Sequence, residues 1–447
     1  MSTIKVNTVE TRTGSTLTLG KSGDTVSIAS GASTSGMGRT GTVDWQTTKK
    51  TTSFTAEDGK GYFVDTAASG AVTMTLPSSP SAGAIVGVKD YNGNFATANL
   101  TIGRGGSPIN GFSNQDVTIS TDGASIMLVY VDSSQGWVAT NDDESTFSGE
   151  NFIVATGGTI TTVGSCKVHT FTSPGTFTVC SVSAVAANNR VSYMVVAGGG
   201  GSGGDSGGGG GAGGFREDKS PVTPYTASPL VGAGSVTVTA TGFPVVVGAG
   251  GSGGSGAPPT GSPGAGSQGS TSSVFSISSA GGGIGGNRPS ANGGNGGSGG
   301  GARSESNSAG SGNTPPVSPP QGNDGGGASP TPTANSAGGG GATALGAYAP
   351  ASGVSSDGGP GGAGATTQIN GASSTFAGGG GGGGGGGSPT SGGPGGAGGG
   401  GNGADGGSGT AGGNGTANTG GGGAGGNDDA AGGSGGSGIV IIRYKAS

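Results

Sequence analysis

The chain has 447 residues, of which 116 are glycine and only 9% are charged, with a formal net charge of −6. It carries no basic run, so nucleic acid is not an expected partner, and so little charge is unlike the composition of ordinary disordered chains. The opening MSTIKVNTVETRTG has no apolar core of a secretory signal, and no run of eighteen apolar residues occurs, so no membrane insertion is expected.

In residues 1–44 the pairs Ile4/Val6, Leu17/Leu19 and Val26/Ile28 alternate between turn signals such as RTGS and KSGD. Each run offers too few apolar residues for a core of its own. The segment therefore reads either as disordered or as β-structure completed by other copies, with an intertwined homotrimer the favoured arrangement. Residues 45–140 read as a β-sandwich, with strands at 61–65, 71–76, 83–90, 98–103, 115–120, 124–131 and 136–140 separated by the turns YNGN, RGGS, TDGA and DSSQG. The acidic stretch 141–150, NDDESTFSGE, reads as a linker.

From residue 151 the composition changes: 92 of the 116 glycines lie between 198 and 438. Strand-like runs still punctuate them, at 168–180, 190–197, 234–240, 243–249 and 272–278, and again at 438–444, GIVIIRY. These predict a second β-sandwich with glycine-rich inserts at 198–214, 249–271 and 280–437, whose last strand pairs back across the largest insert. The fold class is thus all-β throughout. Cys166 and Cys180 flank KVHTFTSPGTFTV, a candidate hairpin turning at Ser173-Pro174-Gly175, and are either bridged or two free thiols.

The inserts have a period of three, as in GGSGGSG (250–256), GGNGGSGGG (293–301), GGPGGAG (358–364) and GGPGGAGGG (392–400). A polyproline-II-type helix has three residues per turn and rises about 3.1 Å per residue. A GGX repeat then places every X on one edge and leaves two bare edges, on which neighbouring helices can approach and exchange backbone hydrogen bonds. On this logic the ten glycines 378–387 form a fully surrounded polyglycine-II helix, and Ser, Asn, Ala and Pro face outward on peripheral ones.

Chemical motifs are poor. GSTLTLGKS (14–22) has one residue too many between its glycines for a phosphate loop. GGNGAD (400–405) begins like a calcium-binding nonapeptide, but Gly407 stands where an apolar residue belongs and no array follows, so no metal or other cofactor is expected at Asp405 or Asp428-Asp429. The single histidine, His169, falls within a strand, and no catalytic residues are expected. Binding is the better supported role. Four loops of different composition, 214–230, 302–326, 342–358 and 365–377, interrupt the glycine blocks. Their isolated aromatics Phe215, Tyr225, Tyr348 and Phe376, together with Arg303, are candidate receptor-binding residues, with packing as the competing role for each aromatic.

The opening MSTIKVNTVETRTGSTLTLGKSGDTVSIASGAS resembles the N-terminal segments of tail-fibre proteins of tailed marine phages. The stretch from GYFVDTAASGAVTMTLPSSPSAG to LVYVDSSQGWVAT is similar to a β-domain of phage fibres. The frame from VHTFTSPGTFTV through SYMVVAGGGG to GGSGIVIIRY resembles glycine-rich fibre tips and the polyglycine-II adhesins of T-even-like phages, which are separate proteins, whereas here tip and shaft are fused. The resemblance implies a virion location and a homotrimer. It implies an N-terminal segment that attaches to other phage tail proteins, and tip loops that meet a bacterial surface glycan or outer-membrane protein. Two other readings fit the glycine pattern: an ice-binding protein, which would need a flat and regular outer face, and a purely structural fibre.

Overall fold

The computed structural model describes residues 43–111, 116–140, 152–183, 186–256, 263–287, 292–303, 307–327, 336–348, 357–385 and 390–446. Most of the 1–44 segment, the 141–150 linker, and Gly386 and Gly387 lie outside the described residues. Within them the protein is all-β, relieved only by a 3₁₀ turn at Ala186–Asn189, and no helix is long and apolar enough to cross a membrane.

The first unit contains β1 (Asp44–Lys50), β2 (Phe54–Thr55), β3 (Lys60–Val64), β4 (Val72–Thr75), β5 (Ile85–Asp90), β6 (Leu100–Gly103), β7 (Val117–Ile119), β8 (Ser125–Asp132) and β9 (Gly136–Ala139). Two sheets, β1-β3-β5-β8-β9 and β2-β4-β6-β7, enclose a core that includes Val64, Met74, Val86, Leu100, Ile102, Leu128 and Trp137. The expected strands are present, but β1, β3 and β5 pair in parallel, as do β2, β4 and β6. Parallel neighbours need a long crossover, and here each crossover carries a strand of the opposite sheet. One turn is fixed by a buried carboxylate. Asp90 accepts the backbone N–H groups of Gly93, Asn94, Phe95 and Gly123, which locks YNGN beside the strand end.

The second unit contains β10 (Val154–Thr156), β11 (Thr159–Val163), β12 (Cys166–Phe171), β13 (Gly175–Ser181), β14 (Arg190–Val196), β15 (Phe215–Asp218), β16 (Val231–Gly232), β17 (Val236–Thr237), β18 (Gly242–Val245), β19 (Ser272–Val274), β20 (Ile277–Ser279), β21 (Ala365–Thr367), β22 (Ser374–Phe376) and β23 (Ile439–Lys445). The large sheet runs β11-β12-β23-β14-β15-β16, with β17 also on β14, and faces a small sheet β10-β13-β18. The strand after the largest insert, β23, pairs antiparallel with both β12 and β14 at the centre of the sheet. Its alternation serves two cores. Val440, Ile442 and Tyr444 pack toward Phe177, Val179 and Val245 of the small sheet, while Ile439 and Ile441 join Val168, Met194, Phe215 and Phe376 on the other face.

The sequence KVHTFTSPGTFTV is not a simple hairpin. Its two strands, β12 and β13, belong to different sheets, and the Ser173-Pro174-Gly175 turn carries the chain across the sandwich. No disulfide joins the two cysteines, Cys166 being buried and Cys180 exposed. His169 is fully buried between the sheets, edge-on to Phe177. Its Nδ1 lies 2.7 Å from the Gly157 carbonyl and therefore donates, which leaves Nε2 to accept from the Tyr444 hydroxyl at 3.1 Å. Burial holds the imidazole below its ordinary pKa, outweighing the Gly157 bond, and the nearby Lys167 charge lowers it further. Burial likewise pushes the Tyr444 hydroxyl up to about 12.

The glycine blocks prolong the strands: β14 runs through Ala197 into Gly198, Gly214 leads into β15, and Gly438 leads into β23. Residues 378–385 show the packing. The N–H groups of Gly378, Gly381 and Gly384 bond to the carbonyls of Gly398, Gly401 and Ala404; those of Gly379 and Gly382 to Gly362 and Gly359; those of Gly380 and Gly383 to Gly210 and Gly207. The carbonyls of Gly378 and Gly381 accept from Gly422 and Gly425, those of Gly379 and Gly382 from Gly396 and Gly393, and that of Gly380 from Gly339. Partners recur every three residues, all at 2.8–3.1 Å, so this threefold helix is surrounded by six neighbours. Residues 198–204 and 207–214 are enclosed in the same way. An added Cβ on any of Gly378 to Gly383 would lie 1.9–2.3 Å from a backbone oxygen of a neighbouring helix.

The outer helices keep the same period. Ala249, Ser252 and Ser255 are exposed while Gly251 and Gly254 are buried, and Pro360 and Pro394 sit toward the outside. Ser298 departs from the expectation: it is the X of a GGX block, yet it is fully buried, because helix 297–302 is interior. The outer asparagines also do more than face solvent. Asn292, Asn295, Asn402 and Asn414 accept, through Oδ1, the backbone N–H groups of Ser308, Ser311, Gly395 and Ser434 on the adjacent helix. Side chains thus replace the neighbour that a peripheral helix lacks.

Two predictions follow from this packing. Gly381→Val should destabilise the second unit by more than about 4 kcal/mol in chemical denaturation, against less than about 0.5 kcal/mol for the outward-facing Ala397→Val. For His169 the unfolded state binds the proton more tightly. Stability should therefore hold above the ordinary imidazole value of about 6.5 and decline as pH falls below it, and His169→Gln should flatten that decline in urea titrations between about pH 7.5 and 5.

Candidate functional surface of the glycine-rich unit

The bundle has two ends. One adjoins the sheets at Gly198, Gly214, Ala280, Ala377 and Gly438. The other lies one helix length away, where the chain reverses at Asp205-Ser206, both with positive φ. Hydrogen bonds place residues 264, 286, 384, 404 and 430 at the level of that reversal. The five candidate receptor-binding residues divide between these ends and do not form one cluster.

Phe215 and Phe376 are 1% and 6% exposed and belong to the core on the bundle side of the large sheet. Such side chains hold the sheet to the β21–β22 hairpin and present no surface to a receptor. Tyr225 is partly buried against the same core, with the Arg443 guanidinium 5.2 Å from its ring centre and Lys219 Nζ at the same distance. Burial, then the neighbouring Glu217 charge, raises its hydroxyl pKa. Arg303 lies at the far end, where Nε donates to the Asp205 carbonyl at 2.9 Å and Nη2 approaches the Asp205 carboxylate at 3.4 Å. It clamps the chain reversal. Tyr348, 62% exposed against Gly327, is the one of the five with its ring in solvent, and Leu345, three residues earlier, is equally exposed.

The sequence reading missed two buried charged side chains, Glu217 and Arg443, under the 214–230 and 365–377 loops. Glu217 and Arg443 are each 3% exposed. Glu217 accepts from Thr367 Oγ1 at 2.6 Å and from the Ser228 N–H at 2.9 Å. Arg443 donates to the carbonyls of Pro224 at 2.9 Å and Ile369 at 3.2 Å. The signal was available: FRED and GIVIIRY each place a charge on the apolar face of an alternating strand. Because these groups bond to loop backbone, both loops are tied to the central strand. Among the described residues no group of three or more His, Cys, Asp or Glu is placed to hold a metal ion, and the Asp405 carboxylate accepts the Gly392 N–H.

A family model described as a glycine-rich domain matches residues 172–445, more than half of the chain. The chain belongs to this glycine-rich domain family. No curated protein matches it. The matched span begins at the β12–β13 crossing and ends with β23, so the glycine-rich domain takes in β13 to β23 and the bundle between them.

Within the glycine-rich domain, the division between buried and exposed aromatics is measurable. Phe376→Ala should cost about 3–5 kcal/mol of stability, whereas Tyr348→Ala should stay within about 0.5 kcal/mol, both read by chemical denaturation.

Proposed function

We propose that the chain is a tail-fibre protein of a tailed phage that attaches the virion to a host surface through its glycine-rich tip. The observation that carries this reading is the six-neighbour packing of the glycine helices. The hydrogen bonds of its interior helices run from backbone to backbone, so the bundle is a rigid pedestal on which outward-facing residues can vary. The tail-fibre resemblance of residues 1–44 and of the 45–140 unit supports the same reading. In it, residues 1–44 trimerise and join other tail proteins. The tip meets a bacterial surface glycan or outer-membrane protein, and binding proceeds without cofactor, nucleic acid or covalent chemistry. An ice-binding face is less well served, because several outer asparagines are engaged with neighbouring helices.

Electron microscopy of virions labelled with antibody to residues 280–437 tests the proposal. Label at fibre ends, together with blocking of adsorption by an excess of the purified chain, is the expected result. Label at the capsid or tail base, or a chain that leaves adsorption unchanged, would overturn it.

A further inference from the structure

We propose that the glycine-rich domain binds a neutral saccharide in a cleft at the junction between the large sheet and the bundle. The cleft, of about 440 Å³, is walled by four separate stretches of chain: Pro229–Leu230, Pro320 with Asn323, Ala342–Thr343, and Gly364 with Thr366. Its size falls in the range of roughly 300–1,000 Å³ that suits small-molecule ligands, and it lies where two structural units meet.

The lining selects the ligand class. None of these residues is charged, so nothing in the wall matches a phosphate or carboxylate. Pro229, Leu230, Pro320 and Ala342 offer flat apolar contacts, and three side chains supply polar atoms. The donors of two of these are already committed. Asn323 Nδ2 donates to the Gly341 and Ala342 carbonyls at 3.2 and 2.9 Å, and the single hydroxyl hydrogen of Thr343 is directed at the Ala363 and Gly364 carbonyls, 3.1 and 2.9 Å from Oγ1. What remains on Asn323 and Thr343 is accepting capacity. Thr366 shares one hydrogen with Thr375 at 2.8 Å. A ligand for this wall must therefore bring its own O–H donors and also present apolar C–H faces, and a sugar ring does both.

The walls are also pre-set. The Thr343 N–H bonds to Ala363, and that of Gly364 to Ala397, so little ordering is left to oppose binding. The charged residues nearby, Arg216, Glu217 and Asp218, line a different hollow of about 190 Å³ on the other side of Leu230. There the Asp218 carboxylate is occupied by the Tyr193 hydroxyl at 2.5 Å and the Gly234 N–H at 3.2 Å. The biological role of the cleft in attachment rests on the function proposed above; the binding itself does not.

Saturation-transfer NMR of the full chain with D-glucose, D-galactose, D-mannose, N-acetyl-D-glucosamine and maltose tests the site. At least one sugar should receive transfer. Thr366→Trp, which fills the cleft from a strand position, should weaken that sugar at least about tenfold. Tyr348→Ala, at the far end of the bundle and outside the lining, should leave it within about twofold. Pro320→Ala, an exposed change, should weaken the same sugar severalfold, and thermal unfolding of each variant checks that it is folded. Transfer to none of the sugars, or transfer that survives in both folded Thr366→Trp and Pro320→Ala, overturns the site even if the chain blocks adsorption. Sugar binding abolished by Thr366→Trp in a chain that never competes for host cells upholds the site and removes only its role in attachment.

Discussion

A backbone N–H on an interior glycine helix has no partner within its own helix and no water to turn to. It must find a carbonyl on a neighbour, and everything else in the glycine-rich domain follows from that requirement. An unpaired buried amide costs about 1–3 kcal/mol, so one helix out of phase along 198–214 or 378–385 would leave several uncompensated donors. The close approach that forms these bonds is also what forbids a Cβ: the 1.9–2.3 Å separations around Gly378–Gly383 leave no room for alanine. Glycine, which ordinarily weakens order through its conformational freedom, is here the residue that permits it.

Much of this was legible because it is periodic. Alternation located the strands of both units, including GIVIIRY at the centre of the large sheet, and the period of three separated edge positions from interior ones. The ten-glycine run announced its place by having no side chain to put anywhere. The parallel pairing of β1, β3 and β5 was not legible, because a turn signal says where the chain reverses and not which sheet receives it. The β12–β13 turn shows the same limit. Ser298 was misplaced because a hydroxyl is small enough to enter the bundle where the local pattern reads as outer. Phe215 and Phe376 read as isolated aromatics in a glycine sequence, yet Phe215 sits on a strand of the large sheet and Phe376 on a separate two-stranded hairpin packed into the same core. Isolation along the chain carried no information about burial in space.

The cleft beside Leu230 was invisible for a related reason. Its residues come from four separate stretches of chain that share no motif, and each is unremarkable alone. They converge because the bundle fixes where residues 323, 342 and 364 emerge, while Arg443 on β23 and Glu217 on β15 each hold the 219–230 and 365–377 loops to the sheet. The buried charges thus act on geometry. Burying charge is weak evidence for added stability, but the bonds of Glu217 and Arg443 to the loops define where those loops stop.

The position of β23 has a consequence for folding order. Val196 and Ile439 are partners in one sheet although the whole bundle intervenes between them in sequence. Until the glycine segments have condensed, closing that loop carries a large entropic cost, and contacts of such long range slow folding. The gap between β12 and β14 therefore acts as a checkpoint. Only a bundle in which every helix has found its phase delivers residue 439 to the sheet in register, and a chain that has packed its glycines wrongly keeps two long apolar strand edges open for chaperone or protease.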